Sequence, residues 1–243
     1  MPNLDKRITI GITYFNDGDY LQDWIKQIEL FPNLTEVIIV DDGSQDEPIT
    51  FHLDAFKRMP EWAPDIKVYR VPDDLGFNSH GCRNLIAKVA ETPLLQFFDI
   101  DMLMYPPTIG RMLRTQWRED AIYHHSFFNS FNQKLWGAWG HMNCFLIHKD
   151  LYWKAGGYDE SFSGHHWGDR EFLDRIYKIA EKRMSSEVMY LRRKGKHGHV
   201  DPDVSKTVYY SKTQFAAPIG PDEIKKLVGT NNNKICFNYE RIL

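Results

Sequence analysis

Apolar runs and polar breaks alternate along the first hundred residues with the rhythm of strands and helices. Residues 7–14 form a β-rich run (Ile8, Thr9, Ile10, Ile12, Thr13) that ends at the turn-prone Asn16-Asp17-Gly18. Tyr20, Leu21, Trp24, Ile25 and Ile28 then recur at helical spacing, with Asp17 or Asp19 available as cap. Val37-Ile38-Ile39-Val40 is continuously apolar, the mark of a strand covered on both faces, and it stops at Asp41-Asp42-Gly43-Ser44. The pattern next predicts a helix over 48–59, a strand over 66–71, a helix over 80–90 and a buried strand over 94–98 that stops at Asp99-Ile100-Asp101. Strand–helix–strand repetition implies right-handed crossovers and a doubly wound α/β sheet.

Beyond Pro106-Pro107 the periodicity loosens. It predicts a helix over 108–118, a strand over 121–127, a loop over a cleft at 136–140 and a strand over 142–147. A turn at 156–160, a helix over 169–183 and a strand ahead of residue 192 follow. From Pro202 the signal is weak and reads as a tail wrapped around the domain.

Two apolar strands therefore end in acids at their carboxyl edge, where ligands of open α/β sheets sit. Either cluster alone is explained by the fitness of Asp for turns and caps. Two on one edge point to a shared ligand. Asp99-Ile100-Asp101 has the spacing to hold a divalent cation on a diphosphate, because hard carboxylate oxygens suit Mg2+ or Mn2+ while the apolar residue between them turns inward.

Composition changes this picture little. The chain has 243 residues, 42% hydrophobic and 26% charged, which excludes a disordered or fibrous protein. Three cysteines (Cys82, Cys144, Cys236) cannot form a disulfide scaffold, and no apolar stretch has the length of a membrane span, so a cytoplasmic protein is expected. The net charge of −3 hides a segment, 178–212, with nine Lys or Arg against four acids. A solvated helix face, a loop over a diphosphate, or a polyanionic acceptor such as nucleic acid would each explain it. Among seven tryptophans, Trp136, Trp139 and Trp167 could hold a sugar or a flipped-out base.

The order of motifs resembles family 2 glycosyltransferases of the GT-A fold over about residues 7 to 200. Thr9 to Asn16 is similar to that family's first strand, and Val40-Asp41-Asp42-Gly43-Ser44 to its V-D-D-G-S. Leu75-Gly76-Phe77 with Cys82-Arg83-Asn84 resembles N-x-G … A-R-N, and Asp99-Ile100-Asp101 falls at the metal motif. Gly156-Gly157-Tyr158-Asp159-Glu160 and then residues 168–175 resemble G-G-[FY]-D-E followed by E-D-x-D-L-x-x-R.

The resemblance implies a single α/β domain over 1–243, Rossmann-like, with a mixed, mostly parallel central sheet. Residues 1–104 would form the nucleotide-sugar half, 105–200 the acceptor and catalytic half, and 201–243 the tail. It implies metal-dependent transfer from a nucleotide-diphosphate sugar, a UDP-sugar foremost, to an acceptor hydroxyl with inversion. Thr13, Phe15, Asp42, Arg83 and Asp99 would bind the donor; Asp101 and Asp99, with His197 or His199, would hold Mn2+ or Mg2+. Asp169 would be the general base, and Trp167, Trp139 and His166 would line the acceptor site. If Asp169 were only a helix cap, Glu171 or Glu160 would be next in line. His124, His125 and His141 are read as structural. The acceptor expected is a glycan or lipid-linked sugar, with hydroxylated bases in DNA as the alternative that the basic segment permits.

Two departures stand out. Gly168 occupies the position of the usual Glu before the base, and the first strand lacks the usual Pro. Loss of that Glu favours one alternative, a nucleotide-sugar-binding module without turnover. A sugar nucleotidyltransferase is disfavoured because no Gly-rich loop bearing Arg and Lys follows the first strand.

Overall fold

All seven residues of the first strand are buried, as a strand covered on both faces requires. The structure is a computed structural model and describes residues 7–76, 78–130, 133–136, 140–162, 167–192 and 235–243. The first half runs β1 (Ile8–Tyr14), α1 (Gly18–Ile28), β2 (Thr35–Asp41), α2 (Leu53–Lys57), β3 (Asp65–Arg70), α3 (Ser79–Val89), β4 (Leu94–Asp99) and β5 (Met102–Met104). The second half runs α4 (Pro106–Arg114), β6 (Ala121–Asn129), β7 (Lys134–Trp136), β8 (Phe145–His148), α5 (Lys149–Lys154), α6 (Gly168–Ile176), β9 (Glu181–Leu191) and β10 (Glu240–Arg241).

Among the described residues the strands form one mixed sheet in the order β10-β3-β2-β1-β4-β8-β6-β9-β5, with β7 paired to β6. Its central strands β3, β2, β1 and β4 run parallel, while β8 enters antiparallel to both β4 and β6. Helices cover both faces. Leu21, Trp24, Ile25 and Ile28 of α1 and Ile109 and Met112 of α4 pack with Ile8, Ile10 and Ile12 on one side. On the other, Cys82, Leu85 and Ile86 of α3 pack with Tyr152 of α5 and Phe172, Leu173 and Ile176 of α6. Residues 235–243 return to the sheet, where β10 pairs antiparallel with β3. No helix among the described residues is long and apolar enough to cross a membrane.

Several expected boundaries move, each for a tertiary reason. The helix over 48–59 is a 3-10 turn (Ile49–His52) followed by the short α2. α4 stops at Arg114 because Trp117 folds back and its indole donates to the Met112 carbonyl at 2.9 Å. The helix over 169–183 ends at Ile176, since residues 181–183 are drawn into β9 by pairing with β6 from Ala121↔Glu181 onward. Sheet pairing overrides the local helical period there. The strand over 142–147 begins only at Phe145, α5 follows it unforeseen, and Trp136, the first residue of the expected cleft loop, ends the short strand β7 (Lys134–Trp136). The side chain of Asp17, at the N-cap of α1, makes no capping bond; Glu47 Oε2 instead accepts from the Gly18 N–H at 3.0 Å.

His124 and His125 are fully buried in β6, as structural histidines. His125 bridges Gln96 Oε1 (2.7 Å) and Ser185 Oγ (2.6 Å), and His124 Nε2 meets the Tyr177 hydroxyl at 2.9 Å. Burial pushes His125 down to about 3, aided by neighbouring His124; burial pushes His124 down to about 4, aided by Lys182 and His141. Both are thus neutral in the fold yet titrate near 6.5 once unfolded, so the unfolded chain binds more protons between those values. Stability from this source is complete above pH 6.5 and is lost as pH falls toward 4, by about 1.4 kcal/mol per pH unit for each excluded proton. Urea unfolding midpoints measured from pH 8 to pH 4 should show this fall, and His125→Gln should make it shallower.

Candidate functional site

The site is built where the strand order reverses. β1 has β2 on one side and β4 on the other, and its Thr13 stands in register with Val40 and Asp99. The ends of the three strands thus lie side by side, the place where open α/β sheets bind ligands. Thr13 is buried and Phe15 lies 38% exposed at the rim. Of the two acids after β2, Asp41 serves the turn: its carboxylate accepts from the N–H groups of Ser44 (2.9 Å) and Ile49 (3.0 Å). Gly43 makes the turn possible, with φ +77° and Asp73 O only 2.5 Å from where a Cβ would sit.

Asp42 is different. It is buried, and its Oδ2 accepts from the Asn78 N–H at 2.8 Å, while Oδ1 is buried with no partner among the described residues. Burial pushes its carboxyl up to about 7 despite hydrogen bonds from Asn78 and Cys82. An unsatisfied buried oxygen of this kind is costly.

At the end of β4, the two acids have separate surroundings. Ile100 turns into the core, where its carbonyl accepts from the Trp24 indole at 3.0 Å. Asp99 pairs with the buried guanidinium of Arg83, accepts from Asn143 Nδ2 at 3.0 Å, and has His141 Nδ1 at 3.8 Å. Burial raises its pKa, but Arg83, His141 and Asn143 together hold it below the ordinary carboxylate value. Asp101 is half-buried, and its carbonyl accepts from the Arg192 N–H at 2.8 Å. An ionised carboxylate and a second acid on the ligand edge are the hard oxygen donors that Mn2+ or Mg2+ prefers, so the residues present fit such an ion. Arg83, expected near a diphosphate, is instead 1% exposed and committed to Asp99 beneath the surface. His141, read as structural, belongs to this cluster, and Asn143 was not foreseen. Pairing of β8 with β4 delivers both, through contacts that no local pattern encodes.

Among the described residues one other acid group converges, Glu36, Asp65 and Glu91, with carboxylate oxygens within 4.8 Å of one another. Lys67 Nζ already sits among them, 2.6 Å from Glu36 and from Glu91. That cluster lies at the opposite, amino edge of the sheet.

The third part is the start of α6. Trp167, half-buried, adopts φ +77° and the helix begins at Gly168, so the chain turns sharply just before Asp169. Arg175 ties this helix to the preceding turn by donating to the Ala155 and Gly157 carbonyls, and pairs with Glu171. Asn84 fastens the same turn from α3: Oδ1 accepts from Tyr152 Oη (2.6 Å) and the Tyr158 N–H (2.8 Å), and Nδ2 donates to Glu160 Oε1 (2.9 Å). Glu160 also accepts from the Cys236 N–H at 2.8 Å. Both fallback bases, Glu160 and Glu171, are therefore committed to holding structure. Arg83, paired with Asp99, lies 5.5 Å from the centre of the Tyr158 ring in the turn before α6, and the Gly168 position that opens α6 abuts His80 of the same helix α3. Trp139, His166, His197 and His199 lie outside the described residues.

This arrangement has relatives. The sequence profile described as Glycosyl transferase family 2 matches residues 9–177. S. aureus TarS 1-349 superposes with a TM-score of 0.63 at 15% identity, covering 93% of this chain and 70% of that one. The chain spans 42% of the longer TarS chain. The mannosyltransferase PcManGT from Pyrobaculum calidifontis, in complex with GDP-Man and Mn2+, gives 0.65 at 13% identity over 95% of this chain and 70% of that one. GalNAc-T7 with UDP, GalNAc and Mn2+ gives 0.62 at 14% identity over 90% and 50%. No curated protein matches the sequence. The structural neighbours share the GT-A fold, and the profile match covers most of the chain: it belongs to glycosyl transferase family 2.

Proposed function

We propose that the chain is a metal-dependent, inverting glycosyltransferase that moves a sugar from a nucleoside-diphosphate sugar, a UDP-sugar foremost, to an acceptor hydroxyl. The observation that carries this is the position of α3, whose Arg83 pairs with Asp99 while its His80 abuts Gly168, the residue before Asp169. One helix thus lies against the elements that carry both acids. On this view residues 1–104 carry the donor, 105–200 the acceptor, and 201–243 a tail; three free cysteines support a reducing, cytoplasmic setting.

Asp42 Oδ1 accepts a hydrogen bond from the nucleoside, Thr13 lines its floor, and Phe15 offers a ring at the rim. Asp101, with Asp99 held ionised beside it, would hold Mn2+ or Mg2+, the first of these present in two neighbouring structures. When bound, the ion supplies charge neutralisation for the departing diphosphate. His197 and His199, outside the described residues, are the further ligands that the family resemblance implies. Asp169 takes the proton of the acceptor hydroxyl as its oxygen bonds to the anomeric carbon and the carbon–phosphate-oxygen bond breaks, a single displacement that inverts configuration. Trp167, two residues before it, would serve as an acceptor platform, the role the family resemblance implies also for Trp139 and His166 outside the described residues. A glycan or lipid-linked hydroxyl is the better acceptor than DNA: of the basic segment's described residues, Arg183 and Arg192 are already paired with Glu181 and Asp23.

Four measurements test this. A thermal-shift panel of UDP-, GDP-, CDP- and dTDP-sugars with and without Mn2+ selects the donor, and its turnover should vanish in EDTA or in Asp101→Asn. Full turnover in EDTA would remove the metal from the proposal. Asp169→Asn should keep fold and donor binding while lowering transfer about 10²- to 10⁴-fold, the usual loss of a general base; near-normal transfer, or a product retaining the donor's anomeric configuration, would refute the role. Asp42 ionises near pH 7, and a ligand N–H or O–H favours its charged form. Nucleoside diphosphate should therefore bind up to about tenfold more weakly at pH 6 than at pH 8, a difference that Asp42→Asn abolishes by calorimetry.

A further inference from the structure

Gly168, where the family pattern has Glu, is filled from elsewhere. A Cβ built at Gly168 would meet the imidazole of His80 at 2.7 Å from Nε2, 2.8 Å from Cδ2 and 3.0 Å from Cε1. Contacts this short force one side to move, and the ring has little freedom to do so. His80 is 2% exposed, and its ring lies 5.5 Å from that of Tyr158 and 6.4 Å from that of Phe162. The backbone opposite is equally constrained, since Trp167 holds φ +77° immediately before it. Left-handed conformations of bulky residues are rare and persist where surroundings enforce them.

His80, Arg83 and Asn84 stand at i, i+3 and i+4 on α3, one side of the helix. Each member braces a different part of the catalytic edge. Arg83 holds Asp99, Asn84 holds the Gly157–Glu160 turn, and His80 abuts the residue preceding Asp169. We propose that His80 substitutes for the missing Glu: its imidazole packs into the space left by Gly168 and sets the position of Asp169 at the start of α6. His80 is thus a positioning residue acting through the helix start, and Gly168 is its steric complement rather than a sign of lost turnover. The role rests on Asp169 being the general base.

The test has a stability arm and a turnover arm. Gly168→Ala should lower the melting temperature by several degrees in the native chain and by little in the His80→Ala background. Equal costs in both backgrounds would overturn the packing. Turnover is read as nucleoside diphosphate release from the panel-selected sugar nucleotide. His80→Ala should lower kcat about 10²-fold, the scale of an ångström-sized misplacement, with donor KM unchanged and the Asp169-dependent limb of the pH profile shifted. His80→Ala/Gly168→Glu should recover part of that kcat. Normal kcat in His80→Ala, or a loss confined to KM, would overturn the positioning role. If His80→Ala does not fold, His80→Asn carries both arms. Asp169→Asn with normal turnover would instead refute the general base, and the positioning role with it, while the stability arm still decides the packing.

Discussion

The catalytic edge is organised around a buried positive charge. Arg83 projects from α3, a helix buried along nearly its whole length, and a guanidinium there is tolerated only beside an ionised partner. Asp99 is that partner. The pair fixes the end of β4 against α3, and its remaining demands recruit Asn143 from the segment before β8 and bring His141 alongside. Arg83 also lies 5.5 Å from the centre of the Tyr158 ring, so the turn before α6 packs on the same cation. Removing either charge would leave the other stranded, a loss of about 3–5 kcal/mol in typical buried pairs. A neutral residue at either position would therefore disturb the end of β4 and the turn before α6 together.

The motif called A-R-N in the family pattern takes on a mechanical meaning in this chain. One face of α3 acts as the brace between the two halves of the site, with Arg83 toward the donor acid and Asn84 toward the Gly157–Glu160 turn. Asn84 satisfies a backbone N–H, a backbone carbonyl, a tyrosine hydroxyl and a carboxylate at once. No other side-chain type offers two donors and two acceptors at that reach. Glu160, the last acid of G-G-Y-D-E, is consumed in the same network.

Local patterns made the left half of the sheet legible and the right half only partly so. β1, β2 and β4 are short apolar runs ended by acids, and burial on both faces leaves an unambiguous trace in sequence. Apolar patterning does not separate Asp41 from Asp42, which only the family resemblance singles out; backbone geometry separates them, giving Asp41 to the turn and leaving Asp42 with an unsatisfied oxygen. β9 was partly hidden because Glu181 to Arg183 continue the helical period of α6 until β6 claims them. His141 and Asn143 reach Asp99 only because β8 enters beside β4, some fifty residues on. Gly168 was legible as a departure from a motif, but its complement on α3 was not, because steric fit across two helices leaves no pattern in either.

Acids lie at both ends of the central sheet, and the contrast between the two ends explains why only one is a site. At the amino edge Glu36, Asp65 and Glu91 surround Lys67, and the lysine raises no unmet demand: its ammonium lies 2.6 Å from two carboxylates. Burial lowers the pKa of Lys67, but the bonds from Glu36 and Glu91 more than offset it, so the cluster carries its own counter-ion. At the carboxyl edge the cation among the acids, Arg83, is buried below them and pairs with Asp99, while also donating to Ser79 Oγ at 3.2 Å and lying over the Tyr158 ring. Asp42 there keeps a buried oxygen that nothing among the described residues satisfies, and its carboxyl is held near 7 by burial. Charge that a fold neutralises internally stabilises the fold; charge and hydrogen-bonding capacity that it leaves uncompensated at an accessible edge are available to a ligand. The second condition is met on the edge where β1, β2 and β4 end, and on the proposed function a nucleotide there would draw its binding free energy from a group that folding alone leaves unsatisfied.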